Sequence, residues 1–525
     1  MSRYTIGVDI GTTGTKTVLL DTTAAGRASG TAAGRASGTA AGRASGTAAG
    51  RASNTAGIVA SASRETALHS PGPGFAEADT AQWSRNVIES IREVLTTSGV
   101  SPQAVGAIAT SGMVPAVIPV DDAGNALRHA ILQNDARAHR EVADLHDTLS
   151  GTDLVSLTGS ALTQQSVAPT TVWLRAHEPD VYARTAHWVG SYDWVLSALG
   201  APVHTEQNWA LESGLFSIDG DTADAVLKAA GLDPRTLAAV HRPGTRVGGL
   251  STAAADATGL RAGTALVVGG ADHVLSAYAA GVNSPGDALV KLGGAGDILV
   301  ASDTPVVDAR LYLDAHPVPG HWLPNGCMAT SGSLIRWFQA LVGGAPLTEL
   351  DDEAAPRSPA EILCLPYFLG EKSPLHDPDL RGVFAGMHLG HTRADMYRSV
   401  LEAIAFGFRH HVDVFGQIGI PLSRVMITNG GSKSTLWKQI HADVLGYEMH
   451  PVSGHPGASL GAAVVAAIGI GALDDWSDAA GFITLEKPYV PDPVRSDIYD
   501  LAYATWRELS AAMTPISHAI ARTTR

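Results

Sequence analysis

Ile6-Gly7-Val8-Asp9-Ile10-Gly11-Thr12-Thr13-Gly14-Thr15-Lys16 places an apolar, β-branched run directly before a turn of glycines and hydroxyls. The residues around Ile6, Val8 and Ile10 read as one strand and Thr17 to Leu20 as the next, with Gly11 to Gly14 closing a hairpin between them. Backbone N–H groups in such a turn, with the hydroxyls of Thr12, Thr13 and Thr15, are suited to surround phosphoryl oxygens. Asp9, at the strand end, is placed to face a magnesium ion or its water shell, because a hard cation prefers carboxylate and phosphate oxygens. An ordinary edge hairpin with a polar turn is the competing reading, since short Gly/Thr motifs match by chance.

The rest of the chain bounds what this hairpin serves. Its 525 residues, 45% hydrophobic and 17% charged, carry apolar content for two cores of about 200 to 250 residues each. A formal charge of −15 without a basic cluster argues against nucleic acid or an anionic membrane as partner. An anionic nucleotide then needs a metal to bridge it. Cys327 and Cys364 stand in apolar segments without metal-ligand spacing and read as buried thiols. No apolar run reaches the length of a membrane span, and Met1 to Asp9 lacks the regions of a signal peptide, so the expected location is cytoplasmic.

One stretch does not fit a compact fold. From Thr23 to Asn54 the octad Thr-Ala-Ala-Gly-Arg-Ala-Ser-Gly recurs four times, the last copy ending in Asn54, without a carboxylate, an aromatic residue, Val, Ile or Leu. Such a composition has no face to bury. Leu20-Asp21 leads into it and Gly57-Ile58-Val59-Ala60 resumes a strand pattern after it, so residues 23–54 are expected to be an expanded turn between two strands. The entropy cost of loop insertions grows slowly with length.

Beyond it, strands and helices alternate. Val105 to Thr110 and Val117 to Val120 read as buried strands, with amphipathic helices over Ala81 to Thr97 and Ala138 to Leu149, an α/β pattern. The Pro- and Gly-bearing stretch His241 to Leu250 suggests a boundary, giving domains 1–245 and 246–525. Asp287 to Leu292, the turn Gly293-Gly294-Ala295-Gly296 and Asp297 to Val300 repeat the opening strand, glycine turn and strand. A third cluster follows the strand Val425 to Thr428: Asn429-Gly430-Gly431-Ser432-Lys433-Ser434, then a helix over Thr435 to Leu445. Between the hairpins, the strand Ala265 to Val268 and a Gly269-Gly270-Ala271 turn lead to Asp272 before the helical run Val274 to Ala280. Helix capping alone would account for this carboxylate. Beside two phosphate turns it also suits a base accepting the proton of an attacking alcohol.

These elements, in this order, resemble the FGGY family of carbohydrate kinases, most closely its xylulokinase-like and gluconokinase-like branches. The matching stretches are Asp9 to Lys16, Gly269 to Asp272, Tyr367-Phe368-Leu369-Gly370-Glu371-Lys372-Ser373-Pro374, and Gly430 to Ser434 with Trp437, Gln439 and Asp443. The resemblance implies two ribonuclease-H-like, actin-like domains with ATP and Mg2+ in a cleft, and transfer of the γ-phosphate to a small sugar or polyol. It implies that Asp272 is the general base and Asp9 acts near the metal. Gly11, Thr12, Thr13, Lys16 and the turn with Gly293, Gly294 and Gly296 then face phosphates. Gly430, Gly431, Ser432 and Ser434 hold the adenosine side. A homodimer is a common state in such families.

The departures concern the acceptor. Met113-Val114-Pro115 stands where xylulokinase-like relatives carry Met-His-Gly, so a sugar-contacting histidine is replaced by an apolar side chain. Gln133-Asn134-Asp135-Ala136-Arg137 keeps the Asp and Arg of the family's Trp-x-Asp-x-Arg, leaving Asp135 and Arg137 as sugar-ligand candidates beside Met113. Gly294 replaces a common threonine, and Thr170 and Thr171 fill a segment where relatives often carry a lysine. A ketopentose such as xylulose ranks first, with gluconate or a polyol as alternatives. An actin- or chaperone-type ATPase, or a noncatalytic sugar or nucleotide sensor on the same scaffold, are the readings from other classes.

Overall fold

The computed structural model describes residues 3–25 and 57–524. The chain divides into two compact units, the first Met1–Gly281 with Asp314–Gly320 and Pro456–Thr484, the second Val282–Leu313 with His321–His455 and Leu485–Arg525. The octad repeat lies, from Gly26 to Asn54, outside the described residues.

The opening motif folds as its pattern dictates. Strand β1 (Tyr4–Ile10) turns through Gly11, whose N–H donates to the Gly14 carbonyl at 2.9 Å, into antiparallel β2 (Gly14–Asp21). Strand β3 (Ile58–Glu65) pairs antiparallel with β2 across the repeat, and the Asp21 N–H donates to the Gly57 carbonyl at 2.8 Å. Three further strands, β4 (Val105–Gly112), β5 (Arg246–Gly249) and β6 (Ala265–Ala271), complete a six-stranded sheet in the order β5-β6-β4-β1-β2-β3. Strands β1, β4 and β6 run parallel, and β2, β3 and β5 lie antiparallel to their neighbours. Residues 246–281, grouped with the C-terminal domain on sequence, thus form part of the first unit, because β6 hydrogen-bonds to β4 along its length.

Each face of this sheet is covered by a helix whose composition fits it. Helix α1 (Thr80–Ser98) buries Trp83, Val87, Ile91 and Val94 on one stripe, starts with the Asp79 carboxylate accepting the Ala81 N–H, and stops at left-handed Gly99. The other face receives the helix Ala458–Gly469, whose alanines and glycines let its backbone approach the sheet. A Cβ on Gly7 would lie 2.0 Å from the Ser459 carbonyl oxygen, and one on Gly269 would lie 1.9 Å from that of Thr110. Ala24 and Ala25, the second and third residues of the repeat, pack against the same core.

In the second unit, β7 (Asp287–Leu292) and β8 (Gly296–Val300) form the second hairpin; β9 (Tyr312–Ala315), whose Asp314 and Ala315 group with the first unit, β10 (Trp322–Met328), β11 (Arg424–Thr428) and β12 (Met449–Pro451) extend it to a six-stranded sheet ordered β9-β10-β8-β7-β11-β12. Its core joins the sheet to the long helix Arg393–Gln417 and to Tyr499, Tyr503 and Trp506 of the C-terminal helix. Cys364 is buried, while Cys327 is partly exposed and bonded through its Sγ to the Met328 carbonyl, so the expectation of two buried thiols holds for Cys364 alone.

Gly7→Ala is expected to cost about 3 kcal/mol or to prevent soluble expression, because the added methyl meets backbone rather than a movable side chain. Gly416→Ala, in a helix with open space around its Cβ position, should leave stability unchanged or raise it by about 1 kcal/mol; urea denaturation of the two variants compares them.

Candidate active site

Register decides which residues meet in the first unit. Ile10 pairs with Gly112, and Gly112 pairs with Ala271. The next residues, Gly11, Met113 and Asp272, therefore leave three adjacent parallel strands at one edge, where strand spacing is about 5 Å. The carboxyl ends of parallel strands are where α/β sheets expose converging backbone and side-chain groups. The Thr12 hydroxyl points to the Met113 Sδ at 3.9 Å, which brings the Gly11 hairpin and that candidate sugar-contacting residue together.

Asp272 departs from the expected turn and cap. Gly269, Gly270 and Ala271 are the last residues of β6, and Asp272 is the first residue of helix Asp272–Ala280, with Ala271 in the capping position. Because β6 must pass against the Thr110 backbone, only glycine fits at 269, and the strand continues to the helix without a loop. Asp272 remains about one-third exposed, and its carboxylate in the first helical turn is favoured by the helix dipole.

The other first-unit candidates are more heavily engaged. The Lys16 Nζ donates to the Pro456 carbonyl at 2.5 Å, and burial lowers its pKa against the pull of Asp9. Asp135 accepts the Ala76 N–H at 2.6 Å and Arg137 Nε at 2.8 Å, while Arg137 also pairs with Glu77 at 2.6 Å and lies over the rings of Phe75 and Trp173. This is a buried clamp; its one uncommitted donor is Arg137 Nη1, which has no hydrogen-bond partner among the described residues. Val114 is buried, and Thr170 and Thr171 are buried in the helix Val167–His177.

Three groups outside the sequence reading, His273, Glu212 and Asp314, gather beside Asp272. His273 Nδ1 lies 3.5 Å from Asp272 Oδ1, and its Nε2 lies 2.7 Å from Asp314 Oδ2 and 3.9 Å from Glu212 Oε1. Asp314 is forty-one positions away in sequence, so only the fold joins the pair. Behind them, Glu206, fully buried, accepts the Tyr192 hydroxyl at 2.8 Å and the Asn208 N–H at 2.9 Å. Loss of water outweighs those bonds and pushes its pKa up to about 8.

The second unit repeats the strand-end logic. Lys291 of β7 pairs with Thr428 of β11, so the Gly293 turn and the Asn429-Gly430-Gly431 turn leave neighbouring strands at one edge. They open on a cavity of about 700 Å3 lined by Gly293, Gly294, Gly430, Gly431, Ser434 and Trp437, among others, a size that suits a nucleoside. The Gly294 carbonyl accepts N–H groups of Ser331 and Ser333 and the Ser333 hydroxyl, which docks the phosphate-type turn on the start of the helix Gly332–Leu341. Ser434 caps the helix Thr435–Leu445 by accepting the Trp437 N–H. Two expected nucleotide residues fall outside the lining: Ser432 donates to the Asn429 carbonyl at 2.6 Å, and a Cβ on Gly296 would meet Phe408 at 2.8 Å. Asp351, bonded by Tyr397 at 3.0 Å, also lines the cavity, and burial raises its pKa.

Two β-sheet units of this topology, each opening on a glycine hairpin and one carrying a carboxylate beside it, define a phosphotransferase of the ribonuclease-H-like, actin-like class. The models of the N-terminal and C-terminal domains of the FGGY family of carbohydrate kinases match residues 42–279 and 289–470. The chain belongs to that family, whose members are ATP-using sugar phosphotransferases. It is similar to the crystal structure of a xylulose kinase from Rhodospirillum rubrum, with a TM-score of 0.87, 38% identity, and coverage of 98% of this chain and 100% of that one. It is 26% identical to the xylulose kinase of Staphylococcus epidermidis over 464 residues, 86% of this chain and 92% of that enzyme. Against the xylulose kinase of Escherichia coli the identity is 24% over 519 residues, covering 97% and 99% of the two chains. Among the described residues no helix is long and apolar enough to cross a membrane.

Because Glu206 has a folded pKa of about 8 against about 4.3 unfolded, its protonated form favours folding at low pH, and that contribution is lost as pH rises toward 8. Glu206→Gln should flatten this dependence: the difference in melting temperature between the wild type and the variant changes steadily from pH 5 to 8. Parallel curves over that range would remove the assignment.

Proposed function

We propose that this sugar kinase transfers the γ-phosphate of MgATP to a ketopentose, xylulose first, with Asp272 as general base. The observation that carries the chemistry is the register of β1, β4 and β6, which sets Asp272, Met113 and the Gly11 hairpin on adjacent strand ends. Support for the acceptor comes from the xylulose kinases to which the chain is similar.

In this reading Asp272 accepts the proton of the acceptor hydroxyl as its oxygen bonds to the γ-phosphorus, and the bond from that phosphorus to the bridging oxygen of ADP breaks. The N–H groups of the Gly11 to Gly14 hairpin and the hydroxyls of Thr12 and Thr13 hold phosphate oxygens, with no reorganisation needed at the moment of transfer. Asp9, half-buried at the end of β1, supplies an oxygen donor of the kind a hard cation takes; magnesium would contribute charge neutralisation on the phosphates. The cavity of the second unit takes the nucleoside, with Trp437 and Leu292 as its apolar wall. Arg137 Nη1 is the donor with which the Asp135–Arg137 clamp can reach a sugar hydroxyl. Action in the cytoplasm, as a homodimer, belongs to the same reading.

One observation favours a second acceptor. Val114 is buried and apolar where xylulokinase-like sequences place a histidine, and a missing polar partner in a dry pocket changes discrimination by about 1 to 3 kcal/mol. Gluconate or a four- or five-carbon polyol is the alternative that follows.

ADP release coupled to MgATP across ketoses, aldonates and polyols tests both, with xylulose expected to give the highest kcat/KM. Asp272→Asn should lose at least about a thousandfold in kcat while binding ADP as the wild type does; near-wild-type turnover would take Asp272 out of the role. Gly430 lines the cavity and has open space where a Cβ would stand. Gly430→Val is therefore expected to keep the melting temperature and to raise the KM for ATP tenfold or more, whereas an unchanged KM would place the nucleoside elsewhere.

A further inference from the structure

The surroundings of Asp272 contain more than a lone base requires. His273 is one-fifth exposed and both of its ring nitrogens face carboxylates, Nδ1 toward Asp272 and Nε2 toward Asp314. Neutral imidazole has one N–H, so only the doubly protonated ring donates in both directions. Asp314 is held in turn. Asn208 forms two bonds to the residue that follows it, donating from Nδ2 to the Ala315 carbonyl at 2.9 Å and accepting the Ala315 N–H on Oδ1 at 2.7 Å. The backbone of Asn208 is tied to Glu206, and Glu206 to the Tyr192 hydroxyl. A continuous buried chain of polar contacts therefore runs from the interior of the first unit to the back of the base.

We propose that His273 is a positioning residue for Asp272: an imidazolium anchored on Asp314 that fixes the rotamer of the Asp272 carboxylate and keeps it ionised until the acceptor hydroxyl arrives. The inference rests on Asp272 being the base and adds the group that prepares it. The charged groups facing the ring are Asp272 at the start of its own helix, Glu212 on the helix Gln207–Ser213 and Asp314 on β9, with Glu206 one step behind. Burial opposes the charged ring, yet the charges and hydrogen bonds of Asp314, Asp272 and Glu212 together hold its pKa well above the ordinary histidine value. Loss of water and the nearby charge of Asp314 raise Glu212 well above the usual carboxylate range. Asp314, at 2.7 Å against 3.9 Å for Glu212, is the nearest counter-charge of the ring.

The placement has a kinetic signature that a packing role lacks. A cation 3.5 Å from a carboxylate eases its ionisation, and the shift for such a pair is about one pH unit or more. Removing the cation should move the acid limb of the pH–rate profile upward, and weakening its anchor should bring the alkaline limb down.

The test is the pH dependence of kcat/KM for the best acceptor, on His273→Gln, Asp314→Asn, the double variant and the wild type, with melting temperature and ADP affinity measured alongside. His273→Gln is expected to lower kcat tenfold or more, leave the KM for sugar and ATP within threefold, and raise the acid limb by about one unit. Asp314→Asn, which reaches Asp272 through the imidazole, should lower the alkaline limb, and the double variant should show the profile of His273→Gln alone. A wild-type-shaped profile in His273→Gln overturns the proposal, as does a loss confined to the KM for sugar, which would make the ring an acceptor ligand. If His273→Gln fails to fold, an unchanged alkaline limb in Asp314→Asn overturns it by itself. Absence of sugar-stimulated turnover in the wild type, or full activity of Asp272→Asn, would instead sink the kinase or base assignment.

Discussion

Parallel pairing of β1, β4 and β6 in one register is the constraint on which the chemistry of the first unit depends. Three strands that end together deliver a phosphate-type hairpin, an apolar residue and a carboxylate to one edge. The register itself is held by close backbone contact, since Gly7 and Gly269 admit a helix backbone and a neighbouring strand where any side chain would intrude. A one-residue slip would carry Asp272 to the opposite side of the strand end and turn the buried faces outward. The glycines of β1 and β6 are thus as much part of the site as the residues that carry charge.

The same device, used again in the second unit, serves a different end. There the strand ends of β7 and β11 present glycine turns on a largely apolar cavity, and the carboxylate in its lining, Asp351, comes from the separate helix Leu347–Ala354. Backbone N–H groups and open glycine positions suit a phosphate and a flat nucleoside, while acid–base work needs a titratable side chain with a defined proton. In the proposed reading that side chain is Asp272 of the first unit, with the hydrogen-bonded His273–Asp314 pair beside it, and buried networks of this kind hold geometry because each member left unpaired would cost free energy. Asp135 and Arg137 illustrate the opposite balance: their polar atoms are mostly engaged with each other, Glu77 and Ala76.

Much of this was legible in the chain because it is local. The hairpin at Gly11 to Gly14, its counterpart at Gly293 to Gly296, the helices over Thr80–Ser98 and Thr435–Leu445, and the strand before Asn429 follow from β-branched runs, caps and glycines adjacent in sequence. The carboxylate at 272 was legible for the same reason, although its context was read as a turn and a cap. Glycines at 269 and 270 signal a turn by propensity; tertiary packing against Thr110 uses them as strand instead.

The sequence by itself determined the family, the hairpins and the identity of the candidate base, since each is written in residues that stand next to one another and obey short-range rules of turn, strand and cap. Tertiary structure alone decided what that base touches. His273 adjoins it in sequence without any spacing that marks a role, and its partners Glu212 and Asp314 arrive from a separate helix and strand. It likewise decided that 246–281 completes the first sheet, and that Ser432 and Gly296 fall outside the lining of the second-unit cavity. Long-range pairing and burial set those contacts, and neither leaves a periodic mark on the chain, because any residue brought near by strand register can supply the charge that its neighbour needs.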